Sequence, residues 1–252
     1  MSAQCAYAPV AAESLLQVRG LAAWYGAAQI LFDVDLEVGR GEVVALMGRN
    51  GAGKSTTLKA VMGMLEKRRG SLRFMGQDIS KTEPYEVSRL GLGFVPEDRR
   101  IFTDLSVMEN LAVGRQPARV WPEGHAAPAW TPERLFQLFP NLGEMRDRLG
   151  GRMSGGEQQM LTVARSLMGN PFLVLLDEPS EGVAPVIIEQ MAQMILELKA
   201  QGVSILLSEQ NMHFAELVSD RVYVLEKGQI RYQGSMSDLA DDEEVRRNYL
   251  GV

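Results

Sequence analysis

Val43-Val44-Ala45-Leu46-Met47-Gly48-Arg49-Asn50-Gly51-Ala52-Gly53-Lys54-Ser55-Thr56 is the stretch on which the fold of this chain turns. An unbroken apolar run enters a glycine-rich loop, and a helical pattern follows from Ser55 to about Met64, ending near Gly63 or Gly70. Five apolar residues in a row suit a strand covered on both faces. Gly48 to Ser55 matches the phosphate-loop pattern G-x-x-x-x-G-K-[ST] in full, between a strand and a helix as that pattern requires. Gly48, Gly51 and Gly53 let backbone N–H groups turn inward and approach phosphate oxygens closely. The helix that follows directs its positive end at the same anions. Lys54 is expected to place its charge on the β- and γ-phosphates, and the Ser55 hydroxyl to ligate magnesium. Asn50 and Thr56, within and just after the loop, complete the expected phosphate contacts.

Working outward, Leu173-Val174-Leu175-Leu176-Asp177-Glu178 is a second apolar strand, and it ends in two carboxylates. Ligands bind at the C-terminal edge of parallel strands. Asp177 is expected to hold magnesium, directly or through water. Glu178 is expected near the γ-phosphate, where it polarises the attacking water. Taken alone, the pair could be a solvated strand end; the phosphate loop favours the functional reading.

Composition sets the outer bounds. A chain of 252 residues, 46% of them hydrophobic, suits one α/β domain with embedded subdomains. A formal net charge of −6 argues against a large nucleic-acid footprint, so no nucleic-acid partner is expected. Cys5 is the only cysteine, which excludes an intramolecular disulfide and fits a reducing cytoplasm. No apolar run approaches the roughly 20 residues that span a bilayer, and residues 1–13 read as a flexible extension without a signal peptide. Half-buried strands are expected at Leu15 to Arg19, Val34 to Val38 and Leu72 to Phe74, and a short strand ends at Pro96. Residues 97–160 read as mainly helical, with a loop from Gln116 to Trp130 whose Trp121 and Trp130 are taken as local anchors rather than partner contacts. Val186 to Ala200 is an amphipathic helix with Ile187, Met191, Met194 and Leu198 on its core face. Val203 to Leu207 is a third buried strand. A hairpin turns at Lys227-Gly228, and Ser237 to Val252 reads as a capping helix.

Met153-Ser154-Gly155-Gly156-Glu157-Gln158 lies between the two halves. By itself it is a helix start with Ser154 as N-cap. In this position it resembles the signature of ATP-binding-cassette (ABC) proteins, usually Leu-Ser-Gly-Gly-Gln, and the resemblance covers the chain from about Leu15 to Val252. It implies an α/β fold of the ABC ATPase type: a RecA-like P-loop NTPase core with an antiparallel β-subdomain and a helical subdomain, the cassette at 14–252 and its helical part at about 97–160. It also implies ATP and Mg2+ as cofactors, ATP hydrolysis, and a head-to-tail dimer with a sister ATPase or a second copy. ATP would then be clamped between the phosphate loop of one subunit and Ser154, Gly155 and Gly156 of the other. By the same resemblance Tyr25 stacks on adenine, with a packed surface tyrosine as the alternative. Gly48-Arg49-Asn50-Gly51, Glu97-Asp98-Arg99-Arg100-Ile101-Phe102, Gly155 to Leu161, Ser180-Glu181-Gly182-Val183-Ala184-Pro185 and Ser208-Glu209-Gln210-Asn211 stand in an order similar to the Gln-carrying ATPase of branched-chain amino-acid-type importers. That implies two transmembrane permeases and, indirectly, an extracytoplasmic solute-binding protein, with the chain on the cytoplasmic face of the membrane. Another transporter ATPase such as a lipid exporter, a non-transport ATPase and a non-catalytic scaffold are the alternatives.

Three positions depart from the wider superfamily pattern. Glu97 stands where most members have a Gln that binds magnesium and contacts the permease. Gln210 stands where most have a γ-phosphate-sensing His; it donates a hydrogen bond but carries no proton charge, and His213 is out of register and read as a surface residue. Ser180-Glu181-Gly182-Val183 replaces the usual Ser-Ala-Leu-Asp, so Glu181 does not occupy the position of that Asp, while Ser180 remains able to reach across.

Overall fold

The computed structural model describes residues 14–251; the extension expected over 1–13, with Cys5, and Val252 lie outside the described residues. In chain order the elements are β1 (Leu16–Tyr25), β2 (Ala28–Val38), β3 (Val43–Met47), α1 (Lys54–Val61), β4 (Lys67–Phe74), β5 (Gln77–Asp78), α2 (Pro84–Leu90), β6 (Leu92–Val95) and α3 (Val107–Gly114). Then come α4 (Pro132–Leu138), α5 (Pro140–Glu144), α6 (Gly155–Leu167), β7 (Leu173–Asp177), α7 (Pro185–Ala200), β8 (Ser204–Glu209), α8 (Met212–Val218), β9 (Arg221–Glu226), β10 (Gln229–Ser235) and α9 (Met236–Asp241).

Two sheets organise them. One is antiparallel, in the order β2-β1-β4-β5; the other has six strands in the order β10-β9-β3-β8-β7-β6. In the second sheet only the β9–β10 hairpin is antiparallel. Every residue of β3 and β7 is buried, which is why both read as unbroken apolar runs. In β1, Leu16, Val18, Leu21 and Ala23 face a core and alternate with more exposed positions, as a strand with one wet face must. Burying one such Leu or Val stabilises by about 1.5–3 kcal/mol relative to exposure.

The β1–β2 side packs over Leu46, Leu58 and Leu206. On the opposite face of the six-stranded sheet, α6 and α7 cover Val174, Leu176 and Leu207 through Leu161, Met191, Met194 and Leu198. The loop between α3 and α4 folds inward: Trp121 and Trp130 are both buried. Trp121 lies 4.4 Å from the Phe172 ring between centroids, with the Arg40 guanidinium 3.5 Å from its own ring centroid. Both tryptophans thus act as the local anchors expected.

Two local expectations are corrected, and a third, the helix ending near Gly63 or Gly70, is met at Gly63. Residues 97–106 contain no helix; α3 starts only where Ser106 and Glu109 close a capping box. Arg99 and Arg100 instead adopt left-handed backbone, and their carbonyls accept hydrogen bonds from Thr162 Oγ1 and Arg165 Nη2 of α6, both at 2.7 Å. The helix after the phosphate loop ends before Gly63, and Gly70 lies inside β4. The C-terminal stretch is not one helix: α9 stops at Asp242, whose carboxylate caps a new turn by accepting from the Val245 N–H at 2.9 Å. A wide turn over Arg246–Leu250 then packs Tyr249 and Leu250 against the β9 side.

Candidate functional site

Because β3, β8 and β7 are adjacent and parallel, the loops that follow them emerge side by side. The register sets Met47 opposite Glu209 and Asp177 opposite Ser208. The phosphate loop, the acidic pair and the Gln210 segment therefore share one sheet edge.

The phosphate loop is closely fitted. A Cβ on Gly48, at φ +157°, would lie 2.3 Å from the Leu225 carbonyl oxygen, so no other residue fits there. The turn of the β9–β10 hairpin supports the loop from outside: the Gly228 N–H donates to the Ala52 carbonyl at 2.8 Å, and the Gly228 carbonyl accepts from the Phe32 N–H at 2.8 Å. A Cβ on Gly228 would sit 1.8 Å from the Ile30 carbonyl oxygen.

Lys54 is almost fully buried, and its ammonium donates to the carbonyls of Gly48 at 2.7 Å and Arg49 at 3.2 Å. Its remaining partner is Glu178 Oε1 at 3.0 Å, also buried. Burial alone would raise the Glu178 carboxyl, but hydrogen bonds from Glu181 and Lys54, with the Lys54 charge, outweigh it and hold Glu178 below the usual range. Glu181 moves the opposite way, pushed up to about 7 by its hydrogen bond to Glu178, then by burial and the charges of Glu178, Glu97 and Glu209.

Asp177 is buried beside them, and its Oδ1 accepts from the Ser208 hydroxyl at 2.7 Å. Burial pushes its carboxyl up, against hydrogen bonds from Ser208 and Ser55 and the charge of Lys59, while Glu178 adds to the rise. Ser55 and Asp177 thus offer two convergent hard oxygens. Among the described residues no group of three His, Cys, Asp or Glu forms a closed metal site. The Ser55–Asp177 pair fits magnesium, which takes one or two protein ligands and fills its octahedron with phosphate and water.

Tyr25, Ile30, Gly51, Gly53, Lys54, Ser55, Thr56 and Glu178 line one open cavity of about 290 Å³, and Tyr25 is 48% exposed there. Asn50 is exposed at the loop tip. Glu97 is exposed after β6, and its charge reaches Glu181. Gln210 is exposed, with its N–H on Glu209 Oε2 at 3.0 Å. His213 is exposed on α8, one turn beyond. Ser154, Gly155 and Gly156 are not among the residues lining the cavity; they open α6, where Ser154 caps the helix and Glu157 closes the box by accepting from the Ser154 N–H at 2.7 Å. The S-x-x-E spacing was the signal for Glu157. Sequence reasoning named Ser208 and Glu209 only as part of the segment carrying the resemblance and gave them no role; their local signal is two polar residues closing an apolar strand.

Comparison with known proteins places this geometry. The family model described as ABC transporter matches residues 31–181. The chain is 40% identical over 242 residues to a high-affinity branched-chain amino acid transport ATP-binding protein, BraG, of Pseudomonas aeruginosa, covering 94% of this chain and 100% of that protein. It is 35% identical over 239 residues to the lipopolysaccharide export system ATP-binding protein LptB of Haemophilus influenzae, covering 94% and 98%. A crystal structure of a nucleotide-free ATP-binding cassette from an ABC transporter superposes with a TM-score of 0.76 at 28% identity, over 92% of this chain and 97% of that one. The ADP conformation of MJ1267, an ATP-binding cassette of an ABC transporter, gives a TM-score of 0.75 at 28% identity, over 92% of this chain and 96% of that one.

Proposed function

We propose a function from the premise that this chain belongs to the ABC transporter family, as an ATP-binding, ATP-hydrolysing subunit: it powers import of branched-chain amino acids or a related small polar solute. The observation that carries the solute class is the 40% identity spanning the whole of a branched-chain amino acid transport protein. The 35% identity to a lipopolysaccharide export protein supports the second reading, an exporter ATPase.

The site supports a specific sequence of events. Lys54 rests on Glu178. ATP phosphates arriving in the glycine loop draw the ammonium onto themselves, and Glu178 is released as a carboxylate free to polarise a water for in-line attack. Ser55 and Asp177 hold magnesium, which neutralises phosphate charge when bound. Tyr25 covers the adenine. Gln210 donates a hydrogen bond toward the γ-phosphate. Glu97 is offered to the ion or to a basic residue of a permease.

A sister ATPase or second copy closes head to tail, presenting Ser154, Gly155 and Gly156 at the N-terminus of α6, where the helix dipole favours phosphate. ADP lacks the γ-phosphate bridge and so favours the open state. No helix among the described residues is long and apolar enough to cross a membrane. Attachment at the inner membrane face therefore runs through two permease subunits, with an extracytoplasmic solute-binding protein delivering the solute. Reconstitution with candidate permeases tests this: leucine with its binding protein should stimulate ATP turnover. Stimulation only with lipopolysaccharide-export permeases would replace import with export.

A further inference from the structure

Glu209 is the last residue of β8 and is 1% exposed. Three backbone amides converge on it. The Ser180 N–H donates to Oε1 at 3.1 Å, and the N–H groups of Gln210 and Asn211 donate to Oε2, each at 3.0 Å. No ion pair to a cation is formed by Glu209 among the described residues. An ionised carboxylate is costly to bury unless its lone pairs are filled. Here the three amides fill them, the Ser180 side chain adds a further hydrogen bond, and together they oppose the burial that pushes the carboxyl up.

The identity of the amides matters more than their number. Ser180 lies in the loop that leaves the acidic pair Asp177-Glu178, whereas Gln210 and Asn211 lead into α8. One oxygen holds each loop. Ser208, immediately before, has a parallel arrangement: its hydroxyl donates to Asp177 at 2.7 Å and accepts from the Glu178 N–H at 3.2 Å. The end of β8, lying between β3 and β7, therefore holds the acidic pair through Ser208 and joins the two outer loops through Glu209.

Residue type is demanded here. A glutamine has one acceptor oxygen, and its NH2 would face an amide donor on the other side. An aspartate is one methylene short of bridging both. We infer that Glu209 is a positioning residue for ATP hydrolysis, tying the Ser180 loop to the Gln210 segment so that both adopt their catalytic places as one unit. The inference rests on the proposed roles of Glu178 and Gln210 at the γ-phosphate.

The test uses the full-length protein. Glu209→Gln should lower kcat for ATP by about 10- to 100-fold, the scale of a misplaced catalytic loop, with the KM for Mg-ATP changed less than about 2-fold. A second readout is a double-mutant cycle in kcat between Ser180→Ala and Gln210→Ala, corrected for the folded fraction. The two should be non-additive with Glu209 present and additive in the Glu209→Gln background. A purely structural role would lower the melting temperature while leaving kcat per folded site and the non-additivity intact; that result overturns the inference. If Glu209→Gln does not fold, Glu209→Asp, which keeps the charge and shortens the reach, is read by the same cycle with the same two outcomes. Glu178→Gln separates the levels: if it turns over normally, the reading of the hydrolytic edge itself fails. If it is inactive while Glu209→Gln is normal, only the role of Glu209 fails.

Discussion

Replacing Glu178 with glutamine is expected to tighten ATP binding while it stops turnover. Lys54 Nζ lies 3.0 Å from Glu178 Oε1, with the side chains 3% and 7% exposed. An incoming phosphate has to win the ammonium from that carboxylate. A hydrogen bond to a charged group contributes about 1.5–3 kcal/mol, with two opposite charges at the upper end and a single charge at the lower. Glutamine keeps the shape and the bond from the ammonium but loses the opposing charge, so the competition falls by about 1–1.5 kcal/mol. At 1.4 kcal/mol per factor of ten, Mg-ATP should bind roughly 5- to 12-fold more tightly. Loss of the water-polarising carboxylate should lower turnover by about 10²- to 10⁴-fold. Equilibrium titration with Mg-ATP and a single-turnover phosphate-release assay on the same preparation measure both quantities. Weaker ATP binding together with turnover near wild type would refute the displacement of Lys54 as the link between binding and catalysis.

Two further outcomes follow from the same structure. Glu181 is raised from 4.5 to about 7, so across that interval the folded chain holds a proton that the unfolded chain has lost. Stability from this group therefore declines as pH rises through the interval and levels off above it. Melting temperature against pH should slope less in Glu181→Gln than in wild type, and superimposable curves would refute the assignment. Trp121→Ala removes the indole that packs on Phe172 and under Arg40. It should cost about 3–5 kcal/mol in denaturant unfolding and leave Mg-ATP affinity intact; a loss confined to affinity would contradict its placement away from the site.

The parts of the fold legible in the sequence are those whose physics is local. Val43 to Met47 and Leu173 to Leu176 read as buried strands because two-sided burial removes the polar alternation, and both are strands here. The phosphate loop was legible because its glycines, Lys54 and Ser55 must be contiguous to surround an anion. The break at Asp242 was not, since a side-chain cap interrupts the helix where no glycine or proline marks it. Nor were the duties of Ser208 and Glu209, which depend on β8 lying between β3 and β7. Strand order is set by how the helices cover the sheet, and no residue near position 208 encodes it. The contact between Lys54 and Glu178 has the same origin.

The two hydrogen bonds at Gly228 have a mechanical consequence. They rivet Ala52 of the phosphate loop to Phe32 of the neighbouring sheet, and β1 of that sheet carries Tyr25 at its end. Tyr25, proposed to cover the adenine, and the phosphate loop are thus joined through one hairpin turn. In the proposed head-to-tail closure the two would travel together as one jaw of a caliper, and the other jaw would be the helix bearing Ser154.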